Sequence, residues 1–335
     1  MAVGWGVVGL GVHAVGRMLP ALSRARQARL VCVHSRRQSV TRDIAAQYGA
    51  RSYETFDGVL GDPEVQVVYL ATPHDLHAEQ TLRCAAAGKH VLVEKPMALS
   101  AEDAAAMVQA CAQAGVKLYI GFHLRFHPAH QQARAIVASG EIGDIVWAGA
   151  QWTSFRDPDV GWRLEPNRSG GTLLTARGVH LIDLIRHVCG TEFRAINGLS
   201  DGLRPEHPAD DLTAAIGTLA SGGFVHLACS RLVPGASNGL DVYGTRGTVI
   251  CRDTIGAEPK GTLTVSIGSG EQSFSYDTCD VLAAEFDWVS DAVVGIACPD
   301  AAGASGQDGA RVAAVTTGLV ASVRSGRTVT LDYIL

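Results

Sequence analysis

Short, nearly uninterrupted apolar runs at residues 3–8, 30–34, 65–71, 91–94 and 118–121 alternate with helical patterns near 13–25, 40–48, 76–87 and 102–114. A strand covered by helices on both faces has no solvent side, so it reads as a continuous apolar run. Strand and helix in repeated alternation therefore specify a parallel sheet of the doubly wound α/β kind. Pro20 falls inside the first helical pattern, where the missing backbone donor predicts a kink.

After a helix near 128–139 the pattern changes. A strand-like run at 145–155 leads through an irregular Pro/Gly/Arg stretch to a helix near 171–188. Alternating segments follow at 212–219, 224–230, 240–243, 248–251, 263–267 and 272–276, joined by glycine-rich turns as antiparallel strands would be. Helices near 281–293 and 309–325 close the chain. At 335 residues it exceeds what one core usually organises. The expectation is an α/β Rossmann domain over 1–122 and an α+β C-terminal domain over 123–335.

The segment VVGLGVHAVG sets Gly9, Gly11 and Ala14 in the order G-x-G-x-x-A, straight after the first strand and at the mouth of a helix. In that context the glycines allow a tight turn and close backbone approach, and the helix N-terminus stabilises a pyrophosphate. Gly9, Gly11, Val12, His13 and Ala14 form the candidate cradle. An NAD site usually carries a carboxylate about twenty residues on, for the ribose 2'-hydroxyl. Here the second strand ends in His34, Ser35, Arg36 and Arg37. A hydroxyl and a guanidinium suit a 2'-phosphate, so the cofactor expectation is NADP (NADPH/NADP+); the competing reading is two solvated arginines.

The net charge of -5 argues against general attraction to nucleic acid or anionic membrane. Residues 1–10 lack a basic leader region, and no apolar run reaches the roughly eighteen residues of a membrane span. The eight cysteines are scattered at 32, 84, 111, 189, 229, 251, 279 and 298 with no C-x-x-C pair. They read as reduced core thiols of a cytoplasmic protein without a metal site.

GKHVLVEKPM places Glu94 and Lys95 at the carboxyl edge of the sheet, where doubly wound folds collect ligands. In GGTLLTARGVHLIDLIRHV, His180 and Asp183 lie three apart and share a helix face. A histidine there is either a packed core residue or a catalytic one.

The combination of GLGVHA, ATPHDLH at 71–77, GKHVLVEKP and GGTLLTARGVHLID resembles the glucose-fructose oxidoreductase/inositol dehydrogenase (Gfo/Idh/MocA) family over nearly the whole chain. The resemblance implies that the C-terminal sheet is open, mainly antiparallel and used for oligomerisation, as a homodimer or homotetramer. It implies Ala71, Thr72, Pro73, His77, Glu94 and Lys95 as cofactor neighbours. A small-molecule substrate would meet His123, Arg125, Trp162, Arg163, Arg177 and His180. GWRLE at 161–165, YGTRGT and the terminal GQDGA and TTGL look like the family's 1,5-anhydrofructose reductases, whereas VYLATPH with VEKPMAL looks like its phthalate dihydrodiol dehydrogenases.

The implied chemistry is hydride transfer between nicotinamide and a hydroxyl or carbonyl carbon of a small cyclic sugar-like molecule. Lys95 is the expected proton donor, its pKa lowered by partial burial beside the cationic ring; His180 is the second hydrogen-bonding group and Asp183 its orienting partner. The alternatives are a dehydrogenase of a carboxylated cyclic cis-dihydrodiol, a redox-neutral enzyme with a permanently bound cofactor, and a non-catalytic NADP-binding regulator. One position departs from the family pattern: Ala176 stands where an aspartate usually precedes the histidine by four residues. Arg177 beside it either offers a carboxylate contact or packs away from the substrate.

Overall fold

The computed structural model describes residues 2–155, 161–171, 173–201, 210–234, 236–256, 260–277, 279–296 and 302–333. Cys298 lies outside them. The chain forms two compact units, Met1–His123 with Asp280–Ala310, and Leu124–Cys279 with Arg311–Ile334. No helix among the described residues is long and apolar enough to cross a membrane.

In the first unit, strands β1 (Val3–Val8), β2 (Ala28–His34), β3 (Arg51–Tyr53), β4 (Val67–Leu70), β5 (His90–Val93) and β6 (Leu118–Ile120) make a parallel sheet in the order β6-β5-β4-β1-β2-β3. A short antiparallel strand, Ala304–Ser305, extends it beyond β6. The crossovers carry helices α1 (Leu19–Arg24), α2 (Gln38–Tyr48), α3 (Phe56–Leu60), α4 (His77–Ala86) and α5 (Ala101–Gln113). Strand order reverses at β1 and β4, so the carboxyl ends of these two strands flank the crevice that the fold offers a ligand.

β1, β4 and the apolar part of β5 are buried throughout, as continuous apolar runs require. The three-residue β3, RSY, is mostly exposed and too short and polar to announce itself in the sequence. Pro20 produces no break. Pro20 lies within a continuous helical stretch over 12–24, and the π-helical turn Ala14–Met18 directly before α1 takes up the irregularity that its missing N–H imposes.

The division expected at 122/123 left residues 280–310 with the second domain, but they pack on the first. Helix Val281–Val293 covers the sheet through Phe286, which is fully buried and edge-on to both Trp5 and Tyr69. Trp5 Nε1 donates to Ser290 Oγ at 3.0 Å from the same helix. Sequence order hides this return, because a helix 280 residues downstream has no local signal naming its sheet.

In the second unit, β7 (Ile145–Thr153), β8 (Phe193–Asp201), β9 (Leu212–Leu219), β10 (Phe224–Ser230), β11 (Gly239–Gly244), β12 (Gly247–Arg252), β13 (Gly261–Ile267) and β14 (Gly270–Tyr276) run in the order β14-β13-β12-β11-β7-β10-β9-β8, with Val329–Thr330 at the far edge. Only the β7–β10 pair is parallel among these neighbours. Helices α6 (Pro128–Ala138), α7 (Pro166–Ser169) and α8 (Val179–Cys189) belong to this unit, and α6 and α8 pack together against one sheet face. That face buries Ala148, Ala150, Val225, Leu227, Cys229, Leu240 and Val242. The other presents Trp147, Leu199, Ile216 and Phe224 to solvent.

Phe286→Ala removes the aromatic wedge that fastens the returning helix, a change that costs about 3–5 kcal/mol in a packed core. Urea unfolding is the check; a loss under about 1 kcal/mol would show that the helix is not part of the first unit's core.

Candidate active site

Gly9 adopts φ 97°, and a Cβ there would stand 2.5 Å from the Ala71 carbonyl oxygen and 2.9 Å from the Thr72 nitrogen. Glycine is required both by its conformation and by this contact, which brings the end of β1 onto the Ala71–Thr72 peptide. Gly11 differs: it is exposed, with no atom within 4 Å of a Cβ position, and Val12 beside it is 93% exposed. A helix N-terminus with unsatisfied N–H groups and open space over a glycine fits a pyrophosphate.

At the end of β2, Ser35 Oγ lies 2.9 Å from Thr41 Oγ1 and donates to the Arg37 carbonyl at 3.3 Å. Arg37 Nη2 donates to the Leu10 carbonyl at 2.7 Å, which draws this guanidinium across to the glycine loop, while Arg36 is exposed. No carboxylate occupies this strand end, His34-Ser35-Arg36-Arg37.

β5 delivers Glu94 and Lys95. Glu94 Oε1 accepts from the Tyr69 hydroxyl at 2.6 Å and from His13 Nε2 at 3.2 Å; Oε2 accepts from the Lys95 N–H at 3.3 Å. Burial pushes the Glu94 carboxyl up, but His13, Lys95 and the Tyr69 hydroxyl outweigh it and hold the group well below the usual carboxylate range. The same burial and the Glu94 charge push the Tyr69 hydroxyl well up, so it stays a donor. Lys95 itself is half-buried, and its bond to Pro96 is cis.

Tyr69 is a site residue that sequence reading missed. Its only signal is a phenol inside the otherwise aliphatic run VVYL.

His77 is fully buried, with Nδ1 2.9 Å from the Pro96 carbonyl and Nε2 3.0 Å from the Thr72 carbonyl. The expectation that His77 meets the cofactor is thereby corrected, because the ring is fully enclosed with both nitrogens facing backbone carbonyls. His123 is 6% exposed, and burial drives its ring down to about 3 against the opposing pull of Glu94, so it is a neutral hydrogen-bonding group.

In the second unit, His180 is 2% exposed on α8, its ring 5.3 Å from that of Trp152 at the end of β7. Trp152 was not singled out in the sequence, where it is one more apolar position of a strand. Asp183 does not serve as an orienting partner alone: Arg125 Nε and Nη2 grip its two oxygens at 2.8 and 2.6 Å, with Arg186 Nη1 at 3.8 Å. Both members of this two-pronged pair are buried, which corrects the expectation of Arg125 as a substrate contact.

Arg177 is corrected too. Residues Leu174–Gly178 form a π-helical turn in which Arg177 is buried. The Arg177 guanidinium donates to the Ser230 carbonyl and, at 2.6 Å, to Ser154 Oγ, and lies 5.9 Å from the Trp152 ring centre. Arg163 stacks at 4.7 Å on the half-buried Trp162.

The sequence matches the Gfo/Idh/MocA oxidoreductase family, NAD-binding Rossmann fold, over residues 3–122 and the GFO/IDH/MocA C-terminal domain over 130–250. It is 31% identical over 334 residues to the 1,5-anhydro-D-fructose reductase of Ensifer adhaerens, covering 96% of this chain and 99% of that one. The chain belongs to the Gfo/Idh/MocA family. It is 33% identical over 199 residues to the D-xylose 1-dehydrogenase (NADP(+)) 2 of Haloferax volcanii, covering 58% of this chain and 59% of that one. A solved aldose-aldose oxidoreductase from Caulobacter crescentus, complexed with glycerol, superposes with a TM-score of 0.89 at 27% identity, over 99% of this chain and 100% of that one. As a member of the family the protein is an oxidoreductase acting on CH–OH or C=O groups, and its first unit is an NAD-binding Rossmann domain.

Two measurements follow. Asp183→Ala leaves the buried Arg125 without its counter-charge and destabilises by about 3–5 kcal/mol; a near-neutral result would mean that the pair does not support the second unit. His123 binds its proton near pH 3 when folded and near 6.5 when unfolded. As pH falls from about 6.5 toward 3 the unfolded chain holds the extra proton, so this residue lowers stability by about 1.4 kcal/mol per pH unit across that window. His123→Gln removes one proton's worth of slope from urea midpoints between pH 6.5 and 5; an unaltered slope would place the folded ring near its ordinary value.

Proposed function

We propose that this protein is an NADP(H)-dependent oxidoreductase moving hydride between nicotinamide and a hydroxyl or carbonyl carbon of a small cyclic sugar-like substrate. The observation that carries the reading is Lys95, half-buried at the carboxyl edge of the parallel sheet with the Glu94 carboxylate bound to its own peptide N–H. The similarity to a 1,5-anhydro-D-fructose reductase over nearly full length supports the keto-sugar class of substrate.

When bound, the dinucleotide supplies or accepts the hydride. Gly9, Gly11, Val12, His13 and Ala14 hold its pyrophosphate, and Ala71, Thr72 and Pro73 border it. In reduction Lys95 gives its proton to the carbonyl oxygen, and in oxidation the neutral amine takes it back. His180 is the second candidate hydrogen-bonding group, and within its own unit its ring packs against Trp152. His123, Trp162 and Arg163 remain candidates for substrate contact. Arg177, committed to Ser230 and Ser154, supplies no argument for a carboxylated dihydrodiol.

Ser35 and the two arginines favour NADP over NAD; Arg36 is exposed and would be the first to meet a 2'-phosphate, whereas Arg37 already donates to the Leu10 carbonyl. Cys32, Cys84, Cys111, Cys189, Cys229 and Cys251 are buried thiols outside any disulfide, which supports a reducing cytoplasm. The apolar face formed by Trp147, Leu199, Ile216 and Phe224 supports pairing with a second copy as a homodimer or homotetramer.

The similarity to an aldose-aldose oxidoreductase favours one second reading, a redox-neutral enzyme that keeps its nucleotide. Denaturing the purified protein separates the two, since released stoichiometric nucleotide marks the second and exchangeable NADPH the first. Lys95→Met, assayed with 1,5-anhydro-D-fructose and NADPH, is expected to lower kcat by about 10²-fold while leaving NADPH affinity near wild type. Near-normal turnover would remove Lys95 from the chemistry. NADPH should bind at least about tenfold more tightly than NADH, a difference of about 1.4 kcal/mol that Arg36→Ala should largely erase.

A further inference from the structure

We infer that His77 is a positioning residue, whose ring stands wedged between the carbonyl of Thr72 and the carbonyl of Pro96 and thereby holds the peptide carrying Lys95 in register with the nucleotide loop. The inference rests on the reading of Lys95 as the proton donor.

His77 opens α4 and is wholly enclosed, so its ring meets no solvent. Its two nitrogens face two oxygens that can only accept, at 2.9 Å (Pro96) and 3.0 Å (Thr72). A neutral imidazole has one N–H and one lone pair, so it satisfies one of these carbonyls and can satisfy both only as imidazolium. Burial lowers the pKa of the ring, so it is neutral and donates to one of the two carbonyls; an apolar group in its place leaves that buried acceptor without its donor.

Each carbonyl belongs to a segment with a function. Pro96 follows Lys95 directly. Thr72 belongs to the peptide against which Gly9 packs, and its hydroxyl is further anchored by Gln80 Oε1 at 2.6 Å from α4. On the other side of Lys95, His13 in the glycine loop binds Glu94, which accepts the Lys95 N–H. The Lys95 peptide is therefore bracketed by two histidines, and both connections lead back to the glycine loop. A displacement of the nucleotide loop therefore reaches the Lys95 peptide by two routes, through His13 and Glu94 on one side and through the enclosed His77 ring on the other.

The ring can be divided chemically. The amide nitrogen of asparagine stands close to the place of Nδ1, and that of glutamine close to Nε2. His77→Asn should keep the Pro96 contact and lose the Thr72 contact. Its kcat with 1,5-anhydro-D-fructose should stay within about threefold of wild type while its Kd for NADPH rises several-fold. His77→Gln should do the reverse: Kd for NADPH within about twofold, and kcat down about tenfold or more, because misplacing a catalytic group by a fraction of an ångström is costly.

A second readout does not use turnover. Acetylation of the Lys95 amine by acetic anhydride, followed by mass spectrometry with Lys89 and Lys117 as internal references, should change rate in His77→Gln and stay near wild type in His77→Asn. Equal effects of the two substitutions on kcat, Kd and labelling would overturn the inference and leave His77 a packing residue. If Lys95→Met retains turnover, the proton-donor reading fails, yet the labelling comparison still decides whether His77 sets the Lys95 amine. His77→Phe should lose both properties; should it not fold, the Asn and Gln pair decides the matter alone.

Discussion

The first unit is organised around a carboxylate that has no business being buried unless it is fully engaged. Glu94 is taken out of water at the end of β5, and desolvation alone would neutralise it. It stays ionised because a phenol, an imidazole and a backbone N–H converge on its two oxygens. Those donors come from β4, from the glycine loop and from the Lys95 peptide, so one side chain fixes the relative positions of the three segments that border a bound nucleotide. The neighbouring glycine is part of the same arrangement: a Cβ on Gly121 would stand 3.3 Å from Glu94 Oε1, so the end of β6 must leave room for the carboxylate. Removing any one donor leaves a charge that cannot be hydrated, which makes the cluster rigid rather than merely stable.

Much of this fold was legible because its strongest signals are local. The β1, β4 and β5 runs are apolar without interruption, and that alone specifies a doubly covered parallel sheet; G-x-G-x-x-A then identifies which strand comes first. The short β3 and the alternating β8, with Arg194, Asn197 and Ser200 interrupting its apolar positions, carried no comparable signal. The return of helix Val281–Val293 to the first sheet could not be read at all, since burial against Trp5 and Tyr69 depends on contacts far apart in sequence.

The site residues divide along the same line. Gly9, Glu94 and Lys95 could be named because sheet topology puts strand ends at a common edge. What those residues touch could not be named. Tyr69 reaches Glu94 from the adjacent strand, and His77 reaches past Pro73 to Pro96; neither relation has a spacing rule. Charged residues were the most misleading. Arg125 and Arg177 are attractive in a sequence because an arginine invites an anion, yet the anion for Arg125 is Asp183 of the same unit, and Arg177 satisfies a strand-end carbonyl and a serine.

The π-helical turn at Leu174–Gly178 bears on how the family's usual aspartate could be lost at 176. In a regular α-helix a residue four before His180 would lie on the histidine's own face, and replacing an acid there by alanine would strip the face of a polar group. A π turn winds more slowly than an α-helix, so the residue at 176 stays near that line while Arg177 turns further from it. Arg177 reaches the ends of β7 and β10, where its guanidinium lies 5.9 Å from the Trp152 ring centre. Its donors serve the Ser230 carbonyl and Ser154 Oγ, so it does not take over the role of an acid at 176. With alanine at 176, the polar work on this face is left to the His180 ring, which packs against Trp152.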